Sequence, residues 1–210
     1  MLQVFIIKIL ERQYINMKTI INFVLFLLII YSSAFAQTKW TGDPVHSNIG
    51  FSISHLTISE VSGSFNTYTI DVIADEDDFT NSQITFTGDV NSVNTGIEKR
   101  DDHLRSADFF DAENYPYMTF VSKSLEKVRG DKYKLVGDFT IKDITKEVEL
   151  DVVYNGMVKD LQGITRAGFK VSGEFNRFDF GIIWNNFLET GGLIVGKTVY
   201  LDMDLELVKQ

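Results

Sequence analysis

The sequence contains no cysteine among its 210 residues. That excludes disulfides, thiolate metal sites, a cysteine nucleophile and a lipid-modified N-terminal cysteine. Positive charge is scarce: 20 basic residues face 29 acidic ones, for a net charge of −9. Without the first 36 residues, which hold Lys8, Glu11, Arg12 and Lys18, the remainder carries −11. A body this acidic repels nucleic acid and anionic membrane surfaces, so neither is an expected general partner. No serine nucleophile motif is present, and no internal repeat, low-complexity tract or interdomain linker interrupts Gln37 to Gln210. Histidine occurs three times, at His46, His55 and His103, with a spacing that matches no zinc-ligand motif. The acidic turn Ala74 to Asp78 lacks the glycine and terminal glutamate of an EF-hand calcium loop. No metal and no cofactor are expected.

What the chain does contain is globular in texture, 44% hydrophobic and 23% charged, enough for one sizeable core. Its N-terminus has the three parts of a secretory signal: Met17-Lys18, an apolar run from Ile20 to Tyr31, and the small-residue site Ser32-Ser33-Ala34-Phe35-Ala36. Residues 1–36 are therefore expected to be a signal peptide, with Met17 as its natural start. Cleavage would leave residues 37–210 without a membrane span, in a periplasm or outside the cell.

From Ile49 onward the dominant period is two. Ile49, Phe51 and Ile53 alternate with Gly50, Ser52 and Ser54, and Tyr68, Ile70 and Val72 with Thr69, Asp71 and Ile73. Further strands are expected over 61–65, 83–90, 117–122, 132–141, 147–154, 167–175 and 199–207. Roughly eight or more such runs, joined by short turns like Arg129-Gly130-Asp131, suggest a closed antiparallel barrel or a sandwich.

The period changes between Thr95 and Phe120. Thr95 and Glu98 have the spacing of a capping box, Ile97 and Leu104 share a helical face, and Pro116 ends the segment. A helical lid between strands is expected, with Phe109 and Phe110 facing inward. After Phe175 the aromatic, glycine-rich stretch to Gly196 suits a loop at a barrel mouth. There Arg177 and Asp179 are expected to pair with each other or with the lid's acids.

Eight short motifs occur in order along the mature chain. They are Trp40; Asp43-x-x-His46-Ser47 with Phe51 and His55; Gly63-x-Phe65; Arg100-Asp101-x-His103-Leu104; Ser106-x-Asp108-Phe109-Phe110; Tyr115-Pro116-x-x-Phe120; Gly137-Asp138-Phe139-Thr140-Ile141; and Arg177-x-Asp179-Phe180-Gly181. In this the chain resembles the YceI-like, lipid- or polyisoprenoid-binding family. The resemblance implies an exported, eight-stranded, lipocalin-like antiparallel β-barrel that holds a long apolar chain such as an isoprenoid, a quinone tail or a fatty acid amide. It also implies a homodimer. Asp143 stands where the family commonly has glycine.

A small barrel has room for its own side chains or for one ligand. Phe51, Phe65, Phe86, Phe120, Phe139, Phe169 and Phe175 fall on the inward phase of their strands. Together with Ile53, Phe109, Phe110, Phe180 and Trp184 they form the expected ligand-binding set. Each ring taken singly reads as core, and the resemblance shifts the set towards a pocket. Asp101, His103, Arg177 and Asp179 are expected as polar lid or head-group contacts. Asp101, Asp102 and His103 could form an acid–base set, but adjacent helical residues diverge, so no catalytic residue is expected.

Overall fold

The structure is a computed structural model that describes Arg12, Tyr14, Met17 and residues 37–75, 78–185 and 193–210. The chain divides into two compact units, Met1–Ala36 and Gln37–Gln210. The signal-peptide expectation falls almost wholly outside the described residues, as does part of the acidic turn. No helix among the described residues is long and apolar enough to cross a membrane.

The second unit is built from β1 (Gln37–Gly42), β2 (Asn48–His55), β3 (Ser59–Phe65), β4 (Tyr68–Asp75), β5 (Asp78–Asp89), β6 (Val93–Asn94), the helix α1 (Glu98–Arg105), β7 (Tyr117–Arg129), β8 (Lys132–Ile141), β9 (Ile144–Lys159), β10 (Thr165–Asn176) and β11 (Val195–Lys209). The sheet runs β1-β4-β5-β7-β8-β9-β10-β11-β2-β3-β6 and closes through β1–β11. Eleven strands occupy eight positions. β1 and β2 run in line against β11, β3 and β4 run in line against them, and β6 continues β5. The eight-stranded antiparallel barrel with a short helical insert is thus the fold observed, and closure leaves few exposed strand edges.

Alternation fixes which side chains enter the barrel. Along β8, Tyr133, Leu135, Gly137, Phe139 and Ile141 are buried, while their neighbours are not. The β7–β8 turn uses Gly130 at φ 61°, and in the β8–β9 turn it is Lys142, at φ 57°, that takes the left-handed conformation. Asp143 stays outside that region, so the turn has no need of glycine there.

Strands extend beyond the sequence expectation at several ends. β5 begins at Asp78 and β7 reaches Arg129, and β1 was not expected at all. β1 brings Trp40, fully buried, into one end of the barrel. There it meets Phe79 at 5.2 Å between centroids. Phe79 stands edge-on to Phe169 at 4.9 Å, and Tyr154 lies 5.2 Å from Phe169. These rings fill that half of the lumen as a plug.

Across the β1–β2 break, the same end is fastened by charge. Arg166 donates to Asp43 at 2.7 Å, Asp160 at 2.8 Å and Glu206 at 2.6 Å. Three chain segments far apart in sequence therefore share one guanidinium. The hydrogen bond from His46 holds the Asp43 carboxyl at about 2, against burial and with help from Arg166. The same bond raises His46 above its ordinary value.

Candidate functional site

The opposite half of the barrel is hollow. A cavity of about 170 Å³ lies there, and among the described residues Arg177 is the only charged one in its wall. Of the residues expected to bind ligand, Phe51, Ile53, Phe65, Phe86, Phe109, Phe110, Phe120, Phe139 and Phe175 line it. Three do not. Phe169 faces inward but belongs to the plug. Phe180 is fully buried behind the wall, 5.2 Å from Phe175 and 5.6 Å from Phe139, so it supports those rings. Trp184 packs outside the wall against Phe109 at 5.2 Å and His103 at 5.0 Å.

Inward-facing glycines help keep this half open, and the sequence reading missed them. Gly63, Gly88, Gly137 and Gly173 occupy apolar-phase positions where a side chain would otherwise enter the lumen. The Phe120 ring lies over Gly137 so closely that an added Cβ would sit 2.3 Å from it, and Phe51 covers Gly63 in the same way at 2.6 Å. The rings thus lie flat against the wall. The available signal was glycine breaking an apolar alternation.

The connection from Thr95 to Pro116 crosses the gap where β6 and β7 fail to pair, and it supplies Leu104, Phe109 and Phe110 to the cavity. Only Glu98–Arg105 is helical, and the expected capping box does not form: Ile97 is the N-cap and makes no side-chain cap bond. The Thr95 hydroxyl instead donates to buried Asp101, which also accepts from the Thr95 backbone N–H at 2.9 Å. Arg100 completes the knot, donating to the Thr95 hydroxyl at 2.7 Å and carbonyl at 2.8 Å. A carboxylate reaching back from the end of the first turn offered the Thr95 N–H and hydroxyl one shared acceptor in place of Glu98. Ile97 is exposed, and only Leu104 of the expected apolar pair packs inward.

The acid–base set does not assemble. Asp101 serves Thr95, Asp102 bonds Arg105, and His103 bonds Asp108 at 2.9 Å while its ring stacks edge-on against Phe109 and Trp184. Nor do the histidines converge. Among the described residues the one group of three metal-type ligands is Asp43, His46 and Glu206, and Arg166 already bonds both carboxylates.

Arg177 departs most from expectation. It is 2% exposed and pairs with neither Asp179 nor the lid. Its Nε donates to Gly196 O at 2.8 Å, Nη1 to Ile182 O at 2.6 Å and Trp184 O at 2.9 Å, and Nη2 to Val195 O at 3.1 Å. The guanidinium therefore ties together both ends of the mouth loop. Burial pushes it below its ordinary pKa. Asp179 is exposed and, among the described residues, accepts only from Asn176 at 3.4 Å.

A family model described as the YceI-like domain matches residues 40–207, almost the whole barrel. The chain belongs to the YceI-like family. A UPF0312 protein of Staphylococcus aureus strain MSSA476 is 41% identical over 171 residues, spanning 81% of this chain and 97% of that protein. Among solved structures, Burkholderia cenocepacia BcnA superposes with a TM-score of 0.69 at 24% identity, over 79% of this chain and 98% of that one. A polyisoprenoid-binding domain from Saccharophagus degradans does so at 0.58 and 17% identity, over 80% and 97%. At these identities the two structures speak for the YceI-like barrel alone.

Proposed function

We propose that this YceI-like protein is an exported carrier that encloses the chain of a long apolar molecule, such as an isoprenoid, a quinone-like isoprenoid or a fatty acid amide, in the hollow half of its barrel. The observation that carries this reading is the apolar cavity itself. A void of about 170 Å³ left empty would cost about 4 kcal/mol at ~24 cal/mol per Å³. Against a typical total stability of about 5–15 kcal/mol, that is a large penalty for a fold with rings to spare for filling it. Burying about ten methylenes would contribute on the order of 8 kcal/mol before ordering costs, so affinity needs few polar contacts. The likeness to a polyisoprenoid-binding domain from Saccharophagus degradans points the same way. Phe109 and Phe110 are the lid's ligand face, and the knot at Thr95 holds that lid in place. The reading is of a binding protein rather than an enzyme, because Asp101, Asp102 and His103 are each engaged separately. The signal-like Met17 to Ala36 segment supports delivery to a periplasm or the exterior.

Native mass spectrometry of the protein from its own host, with solvent extraction of what is bound, tests this directly. A co-purifying long-chain species is expected, and the same spectrum reports whether the protein is a homodimer. Absence of any such species, together with no binding of added isoprenoids or fatty amides, would overturn the proposal.

A further inference from the structure

Resting on the carrier reading, we infer that the cavity is a blind slot that admits a single-chain amphiphile tail first and to a fixed depth, enclosing about six to twelve carbons and leaving the head group beyond the mouth. The floor can be followed strand by strand. On β8, β9 and β10 the wall reaches down to Leu135, Leu150 and Val171. One step further along the same inward faces stand Tyr133, Val152 and Phe169, which are buried and take no part in it. The void thus ends on all three strands where the plug half begins.

Its depth follows from strand geometry. Along β8 the wall runs from Leu135 to Ile141, six residues on, or about 20 Å at ~3.4 Å each. Strands of a small barrel tilt by about 40°, which leaves about 15 Å along the axis. An extended chain covers about 3.8 Å in three bonds, so about twelve carbons reach the floor. Volume sets the lower bound, since about 170 Å³ is close to the ~150 Å³ cavity that accepts one benzene ring. The wall also has nothing with which to read a head group. Among its described residues, all but Arg177 are aliphatic, aromatic, methionine or glycine, and the Arg177 guanidinium is turned into backbone carbonyls of the mouth segment. A polar head drawn inside would give up its water and gain no hydrogen bond. Selectivity therefore rests on tail length, and Val171, one step above Phe169, sets where the slot ends on β10.

The test is isothermal titration of the intact protein with hexanoate, octanoate, decanoate, dodecanoate and hexadecanoate below their micelle thresholds, with decanol beside decanoate, at a salt level that screens the acidic body. Affinity should rise up to about fourfold per added methylene and level off by dodecanoate, and decanol and decanoate should agree within about threefold. Val171→Phe raises the floor, so its series should level off at a shorter chain while hexanoate binds as before. Because the native series is read without any variant, a misfolded Val171→Phe leaves the test intact. Affinity that keeps climbing to hexadecanoate, a tenfold gap between decanol and decanoate, or a folded Val171→Phe that loses hexanoate overturns this inference and leaves the carrier reading standing. No binding of any of these compounds overturns the carrier reading as well.

Discussion

The two halves of the barrel use the same strands for opposite ends. In one, Trp40, Phe79, Tyr154 and Phe169 interlock at centroid distances of 4.9–5.7 Å. In the other, Phe51, Phe86, Phe120 and Phe175 line a void, with glycines where further side chains would enter. Rings alone therefore do not decide between core and pocket. What decides is whether the facing positions carry bulk.

If that division of labour is right, the halves should fail differently. The largest stability effect belongs to the plug: Phe169→Ala should cost about 3–5 kcal/mol by chemical denaturation, because its neighbours cannot collapse into the space. Phe110→Ala, at the edge of an existing void, should cost only about 1–2 kcal/mol but weaken lipid binding. Asp101→Ala should remove about 1–3 kcal/mol by leaving the Thr95 N–H and hydroxyl without their acceptor, and faster amide exchange confined to the 95–116 segment would locate the damage.

The smallest effect is the pH dependence at the fastened end. Asp43 falls from its ordinary 3.8 to about 2 in the fold, so its contribution is present above the ordinary value and lost as pH drops through about 2. Asp43→Asn should be less stable at neutral pH and should show a shallower loss between those limits in an acid titration by circular dichroism. His46 acts in the other direction: its folded pKa is raised, so its contribution is present below 6.5 and fades as pH rises through the raised value.

The phase of each strand was legible in the sequence, and with it the inward face. Height along the barrel axis was not. Phe169 and Phe175 lie on one strand and one face, yet six residues at ~3.4 Å each put them about 20 Å apart, one in the plug and one in the cavity wall. That height depends on strand stagger, which arises from long-range pairing such as Trp40 opposite Lys209 and Val72. The capping box failed for a related reason. Thr95 and Glu98 had the right spacing, but Asp101, three residues further on, accepts both the Thr95 backbone N–H that Glu98 would have taken and the Thr95 hydroxyl. Arg177 paired with carbonyls because Ile182, Trp184, Val195 and Gly196, from two separate stretches of chain, turn theirs towards it, a contact that no local motif encodes.

The most direct test of the division is to measure binding of a long-chain amphiphile to two variants side by side, one altered in each half. Val148→Phe, which pushes a ring into the cavity, should reduce affinity by roughly a hundredfold and leave the melting temperature unchanged or higher. Phe169→Ala should lower the melting temperature sharply and, below it, bind as the native protein does. Loss of binding in both variants in proportion to lost stability would contradict the account, since the two halves would then be a single core.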